Sequence, residues 1–221
     1  MKPALIEHRP WLLVSIIAAI AYYFLRDNQF AGGLPIGGVW LMLMKGAGVG
    51  FLALYAWRRT AGVDGVILVV VLALSSAADI ALELSLEAGG ALFAASHVVA
   101  LGLYLRNRRT STSSSQKLLG AALLVAAPAI TYLLSGDLLL TLYAVTLGAM
   151  AAAAWTSRFP RYRVGIGAVL FVASDWLIFS EFGTFDLGVL PEMLIWPLYY
   201  AGQFMIATGV VQTLRGERPK K

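Results

Sequence analysis

Long apolar runs broken by short polar loops set the plan of this chain. Eight runs can be marked, over residues 10–25, 36–57, 63–84, 89–105, 117–134, 138–157, 164–182 and 190–214. Each holds about 16–25 residues, against about 20 needed to cross the hydrocarbon layer at about 1.5 Å per residue. The pattern predicts an all-α polytopic membrane protein, a bundle of eight transmembrane helices. The first run is the shortest, and Ala19-Ile20-Ala21 imitates a signal-peptide cleavage site. The run nevertheless continues through Tyr22, Tyr23, Phe24 and Leu25 with no polar region before the cut, so a retained helix is expected.

Composition agrees with the pattern. Of 221 residues, 59% are hydrophobic and 13% charged, where a soluble domain carries about 25% charged residues. Mean hydropathy is +0.77. A net charge of +5 could point to nucleic acid, but the basic residues fall in short loops between apolar runs and form no binding face. They give an orientation instead. Lys2, Arg9, Arg58, Arg59, Arg106, Arg108, Arg109, Lys117, Arg158, Arg161, Arg163, Arg215, Arg218, Lys220 and Lys221 all fall on one side of an eight-pass topology. The other side holds Arg26 with Asp27, Glu87, Asp137, Asp186 and Glu192. The positive-inside rule then places both termini in the cytoplasm. With no cysteine, disulfides, thiolate metal sites and cysteine nucleophiles are excluded, and two histidines cannot make a three-histidine metal site. No cofactor and no metal is implied.

One polar, low-complexity linker, Arg106 to Gln116, divides the chain into two four-helix halves. It carries no sign of separate domains, so residues 1–221 are expected to form a single integral-membrane domain with this linker mobile. An internal echo crosses the divide. GGALFAASH (Gly89–His97) matches GAVLFVASD (Gly167–Asp175), on segments that run in opposite directions, as an inverted repeat requires.

The polar groups inside the runs carry the candidate chemistry. Asp175, preceded by Ser174, sits well inside the seventh run, and Asp79 lies in a similar setting in the third. A charge at such depth costs at least ~2.5–3.5 kcal/mol on insertion scales and marks a functional site with a partner. Lys45, His97 and Gln203 lie about 12–20 Å below the outer face by helical rise. All five groups are therefore expected to meet in the outer half of the bilayer. Lys45 is expected to pair with an aspartate, and Ser96 and Ser174 to bond back to a carbonyl one turn earlier. Glu83 reads as a solvated group at the mouth. Tyr199, Tyr200 and Gln203, in PLYYAGQ, read as inter-helix glue or interface anchors, and Gly46 and Gly50 as a close-packing GxxxG pair. There is no Gly-x-Ser-x-Gly elbow, no His-Glu-x-x-His and no phosphate loop. Two classes remain: acid/base chemistry by a carboxylate pair, or ion and substrate coordination by a transporter for small molecules or lipids.

A lysine in the second run, an Asp in the third, LFAASH in the fourth, GAVLFVASD in the seventh and YYAGQ in the eighth together resemble the YhhN family of eight-pass membrane proteins. The family's third-helix motif reads Gly-Asp, where this chain has Ala78-Asp79. The resemblance implies lysoplasmalogenase-like hydrolysis of a lipid vinyl ether in a bacterial inner membrane. The partners are then a membrane lipid substrate and the bilayer itself. It maps the catalytic carboxylates onto Asp79 and Asp175, and leaves Lys45, His97, Ser174, Tyr199 and Gln203 as substrate-binding candidates. The bond chemistry fits two carboxylates. Protonating the β-carbon of a vinyl ether leaves an oxocarbenium ion for water, so one acid and one base divide the work as in a glycosidase.

Overall fold

The computed structural model describes residues 9–26 and 38–216. The loop charges Lys2, Asp27, Arg218, Lys220 and Lys221, and the start of the 36–57 run, lie outside the described residues. Among the described residues the fold is all-α, with eight helices. They are α1 (Arg9–Leu25), α2 (Val39–Arg59), α3 (Val63–Leu82), α4 (Leu86–Arg106), α5 (Ser114–Ser135), α6 (Leu138–Thr156), α7 (Ile166–Ser180) and α8 (Leu190–Gly216). A π-helical turn over Arg161–Gly165 leads into α7. Seven segments are long and apolar enough to cross a membrane. The exception is α1, whose 17 residues reach about 25 Å at about 1.5 Å each, short of a hydrocarbon core of about 30 Å. The chain is an integral membrane protein, with seven candidate spans among the described residues and, where the sequence has its shortest run, a shorter apolar helix in place of the eighth. Large aliphatic side chains such as Leu118, Leu133, Leu139 and Val125 are accordingly exposed along its helices.

The described chain resolves into two compact units, one up to Ser96 together with the residues from Leu214, the other His97–Thr213. In the first, α1 packs on α2 and α2 on α3. In lipid there is no hydrophobic force between helices, so close backbone approach and hydrogen bonds must hold them. Gly46 and Gly50 supply the approach. A Cβ at Gly46 would meet Ile80 Cγ1 at 2.6 Å and Ser76 O at 3.0 Å. Ser76 Oγ donates to Gly46 O at 2.7 Å, and Ser15 Oγ to Gly48 O at 2.5 Å. The GxxxG reading holds.

In the second unit α5 and α6 form a hairpin, with α7 packed on both. Gly136, at φ 64°, ends α5 in the left-handed region, and the Asp137 carboxylate then caps α6 by accepting from Leu139 N and Leu140 N. Pro128 inside α5 cannot donate to the carbonyl of Leu124. Gly148 of α6 sits against that spot: a Cβ there would lie 2.9 Å from Leu123 O and 3.2 Å from Leu124 O. A second seam joins α7 to α8, where a Cβ on Gly202 would come within 2.6 Å of Gly167 O.

The linker expected to be mobile is pinned. Asn107 O accepts from Arg158 N at 2.8 Å, Asn107 Oδ1 from Arg158 Nε at 2.6 Å, and Arg108 pairs with Ser157 in antiparallel fashion. Ser113 and Gln116 then make a reciprocal capping box that starts α5.

The α7–α8 seam gives a direct test of packing. Gly202→Ala places a methyl against backbone and should destabilise the folded protein by about 1–3 kcal/mol. Gly102→Ala, where a Cβ meets nothing within 4 Å, should be neutral. Equal unfolding midpoints for both variants in mixed micelles would contradict the seam.

Candidate functional site

The first unit presents a polar face along α3. Ser75, Asp79 and Glu83 recur at four-residue spacing, which aligns them on one side of the helix. Asp79 is buried, at 1% exposure. Lys45 Nζ of α2 pairs with Glu83 Oε1 at 2.6 Å, beneath the Tyr22 ring at 5.7 Å, and Tyr22 Oη donates to the same oxygen at 3.5 Å. Glu83, which the sequence places in solvent at the mouth, is 32% exposed and supplies the carboxylate for Lys45, where an aspartate was expected. Ser96 Oγ donates to Val71 O at 3.0 Å and lies 2.9 Å from Ser75 Oγ, so it bridges α4 to α3 instead of bonding back along its own helix.

The second unit holds Asp175, His97, Ser174, Tyr199 and Gln203. Asp175, on α7, is 4% exposed. Its Oδ2 accepts a hydrogen bond from Tyr143 Oη of α6 at 2.7 Å. Tyr143 was not among the residues singled out from the sequence. Its signal was the TLYAVT stretch, which puts Tyr143 and Thr146 three apart on one face of an otherwise apolar helix.

His97 stands against the same tyrosine. Its ring lies 5.3 Å from Tyr143 and 5.1 Å from Phe171, edge to face with each. Thr146 Oγ1 donates its proton to Tyr143 O at 2.7 Å. A longer contact of the same hydroxyl with His97 Nδ1, at 3.4 Å, ties the imidazole to this turn of α6.

Aromatic rings enclose this group. Phe179 packs 5.7 Å from Tyr143, Tyr199 packs 5.1 Å from Phe171, and Trp196 lies 5.7 Å from Tyr199. Gln203 is one turn beyond Tyr199 on α8 and equally buried. Ser174 Oγ donates to Ile195 O of α8 at 2.9 Å, close to Pro197, where α8 lacks one of its own N–H donors. Ser174 is again an inter-helix bridge, contrary to the expected back-bond. Ser96 and Ser174, at matching positions of the internal echo, thus each tie their helix to a carbonyl of a neighbour.

Chemically, the second unit offers a carboxyl group hydrogen-bonded to a phenol, with an imidazole packed edge to face on that phenol ring. The first offers a second buried carboxyl and a compensated ammonium. No significant match was found among curated proteins or among solved structures. The model of the YhhN family, in contrast, matches residues 40–210, a stretch running from α2 through most of α8 and containing every residue assigned above to chemistry except Tyr22. The chain belongs to the YhhN family, which includes lysoplasmalogenases.

Proposed function

We propose that the protein is a membrane-embedded hydrolase of lipid vinyl-ether bonds, with Asp175 and Asp79 as its two carboxylates. The observation that carries the reading is the buried Asp175 carboxyl held by Tyr143 Oη at 2.7 Å in a chain of this family. Vinyl-ether cleavage begins with a proton delivered to carbon, which demands a carboxyl group fixed in place and shielded from water. Tyr143 occupies one oxygen of Asp175 and so fixes the direction in which the other points.

The acid gives its proton to the β-carbon, the π pair of the double bond forms that C–H bond, and the ether oxygen shares its lone pair with the cationic α-carbon. Water adds at the α-carbon as the second carboxylate takes its proton. The hemiacetal then collapses to a fatty aldehyde and the glycerol hydroxyl. We assign placement of the lipid to Lys45, His97, Ser174, Tyr199 and Gln203, with the buried rings accepting apolar parts of the chain. Lysoplasmalogen is the leading substrate.

Purified protein given a lyso-alkenyl phospholipid in detergent should release free aldehyde. No aldehyde, together with flux of solute or lipid in sealed liposomes, would replace the hydrolase by a transporter. Asp175→Asn and Asp79→Asn should each lower turnover by about 10²–10⁴-fold, the usual cost of losing a positioned acid or base. The double variant should be little worse than the poorer single, because groups acting as one unit are not additive. Tyr143→Phe should cost about 10-fold or more, in line with a hydrogen bond to a charged group. His97→Gln should act more mildly, through placement.

The loop charges support an orientation with both termini in the cytoplasm. Asp186→Cys is a clean probe in a chain without cysteine, and an impermeant thiol reagent should label it from the outside of intact cells. Labelling only from the cytoplasmic side of inverted vesicles would reverse the topology.

A further inference from the structure

Two loops of the second unit, 107–113 and 157–160, are welded into one basic platform. The stretches 106–117 and 157–163 hold Arg106, Arg108, Arg109, Lys117, Arg158, Arg161 and Arg163, and no acidic residue. Two of these arginines build the platform. Arg158 holds Asn107 through side chain and backbone, and Asn107 Nδ2 in turn donates to Leu103 O at 2.9 Å. Arg109 Nε and a terminal guanidinium nitrogen donate to Ser157 O at 3.3 Å and Phe159 O at 3.5 Å. With the Arg108–Ser157 pairing, these bonds fix the loops against each other.

Arg108 and Lys117 are exposed, Arg161 is half-buried across the exposed Tyr162 ring at 5.0 Å, and the exposed Arg163 bonds Gln212 of α8. They stand at helix ends beside exposed apolar side chains. Leu105 is the neighbour of Arg106 and Leu118 of Lys117, and Tyr162 separates Arg161 from Arg163. Apolar residues that meet lipid tails and cations one residue further out place the platform at headgroup level.

We propose that this platform is a binding surface for anionic phospholipid headgroups. A loop that only obeyed the orientation rule needs positive charge and no shape. Here the two loops are locked together by arginines turned inward, so the backbone positions that carry Arg108 and Arg161 keep a fixed spacing and need no ordering on binding. A basic residue near an anionic membrane contributes a factor of about five in affinity, and a phosphodiester headgroup has the charge that complements exposed Arg108 and Lys117.

The test uses the full chain in nanodiscs of phosphatidylcholine alone or with phosphatidylglycerol, counting co-purified lipid by mass spectrometry and following thermal unfolding. The native protein should retain phosphatidylglycerol preferentially and unfold at a higher temperature in its presence. The Arg108→Gln, Lys117→Gln, Arg161→Gln variant should lose the preference at least about tenfold, given three such residues. The Lys version of the two arginine positions, with Lys117 kept, should retain most of it and shows that the fold survives change there. Inorganic phosphate added to phosphatidylcholine discs should give no shift; a shift of equal size would make the site one for soluble phosphate. Equal retention of both lipids by the native protein, or an unchanged preference in the triple Gln variant, overturns the proposal.

Discussion

Lipid tails offer no hydrogen bonds, so every polar group that enters the bilayer must find its partner on another stretch of the same chain. That constraint explains Tyr143 and Asp175. A carboxyl in the middle of α7 is too costly to leave to its own helix, and α6 delivers a phenol to it at 2.7 Å. The phenol in turn needs a fixed position, which ring contacts with His97 and Phe179 supply. The same demand organises the first unit, where the Lys45 ammonium inside α2 is matched by Glu83 of α3.

Helix packing follows the same logic without charge. Serine hydroxyls at Ser15, Ser76, Ser96 and Ser174 all reach carbonyls of a neighbouring helix, and glycines at the crossings let those backbones come close. Small and hydroxylated residues therefore do what large apolar ones do in a water-soluble core. Larger apolar side chains are left to face lipid, while Phe171, Phe179 and Tyr199 form a run of ring contacts with His97 and Tyr143.

Most of the helix pattern was legible in the sequence because a bilayer imposes one length and one composition on each crossing. The runs 63–84 and 138–157 end within two residues of α3 and α6. The start of α5 came earlier than the apolar run, at Ser114, because a Ser-x-x-Gln capping signal at Ser113 was hidden in a serine-rich stretch read as low complexity. The π-helical turn before α7 was likewise masked by its arginines. Partners were less legible than positions. Asp175 and Asp79 stand out as charges in apolar runs, while Tyr143 looks like one more aromatic, and nothing in the spacing joins Lys45 to Glu83 in place of an aspartate. The serines show the same limit. A sequence reveals that a hydroxyl lies in a helix, but which carbonyl it reaches depends on the neighbour, and both Ser96 and Ser174 chose another helix.

The central claim is that a carboxyl group anchored by Tyr143 protonates a carbon atom of a lipid vinyl ether. The most direct measurement is the isotopic content of the aldehyde formed in D₂O from unlabelled lyso-alkenyl phospholipid, quenched early and trapped as a stable derivative. Protonation at the β-carbon predicts aldehyde carrying one deuterium on the carbon next to the carbonyl, formed rapidly by the native protein and only at trace level by Asp175→Asn. Aldehyde free of deuterium at that carbon, or labelled aldehyde formed equally fast by a well-folded Asp175→Asn variant, would contradict the account.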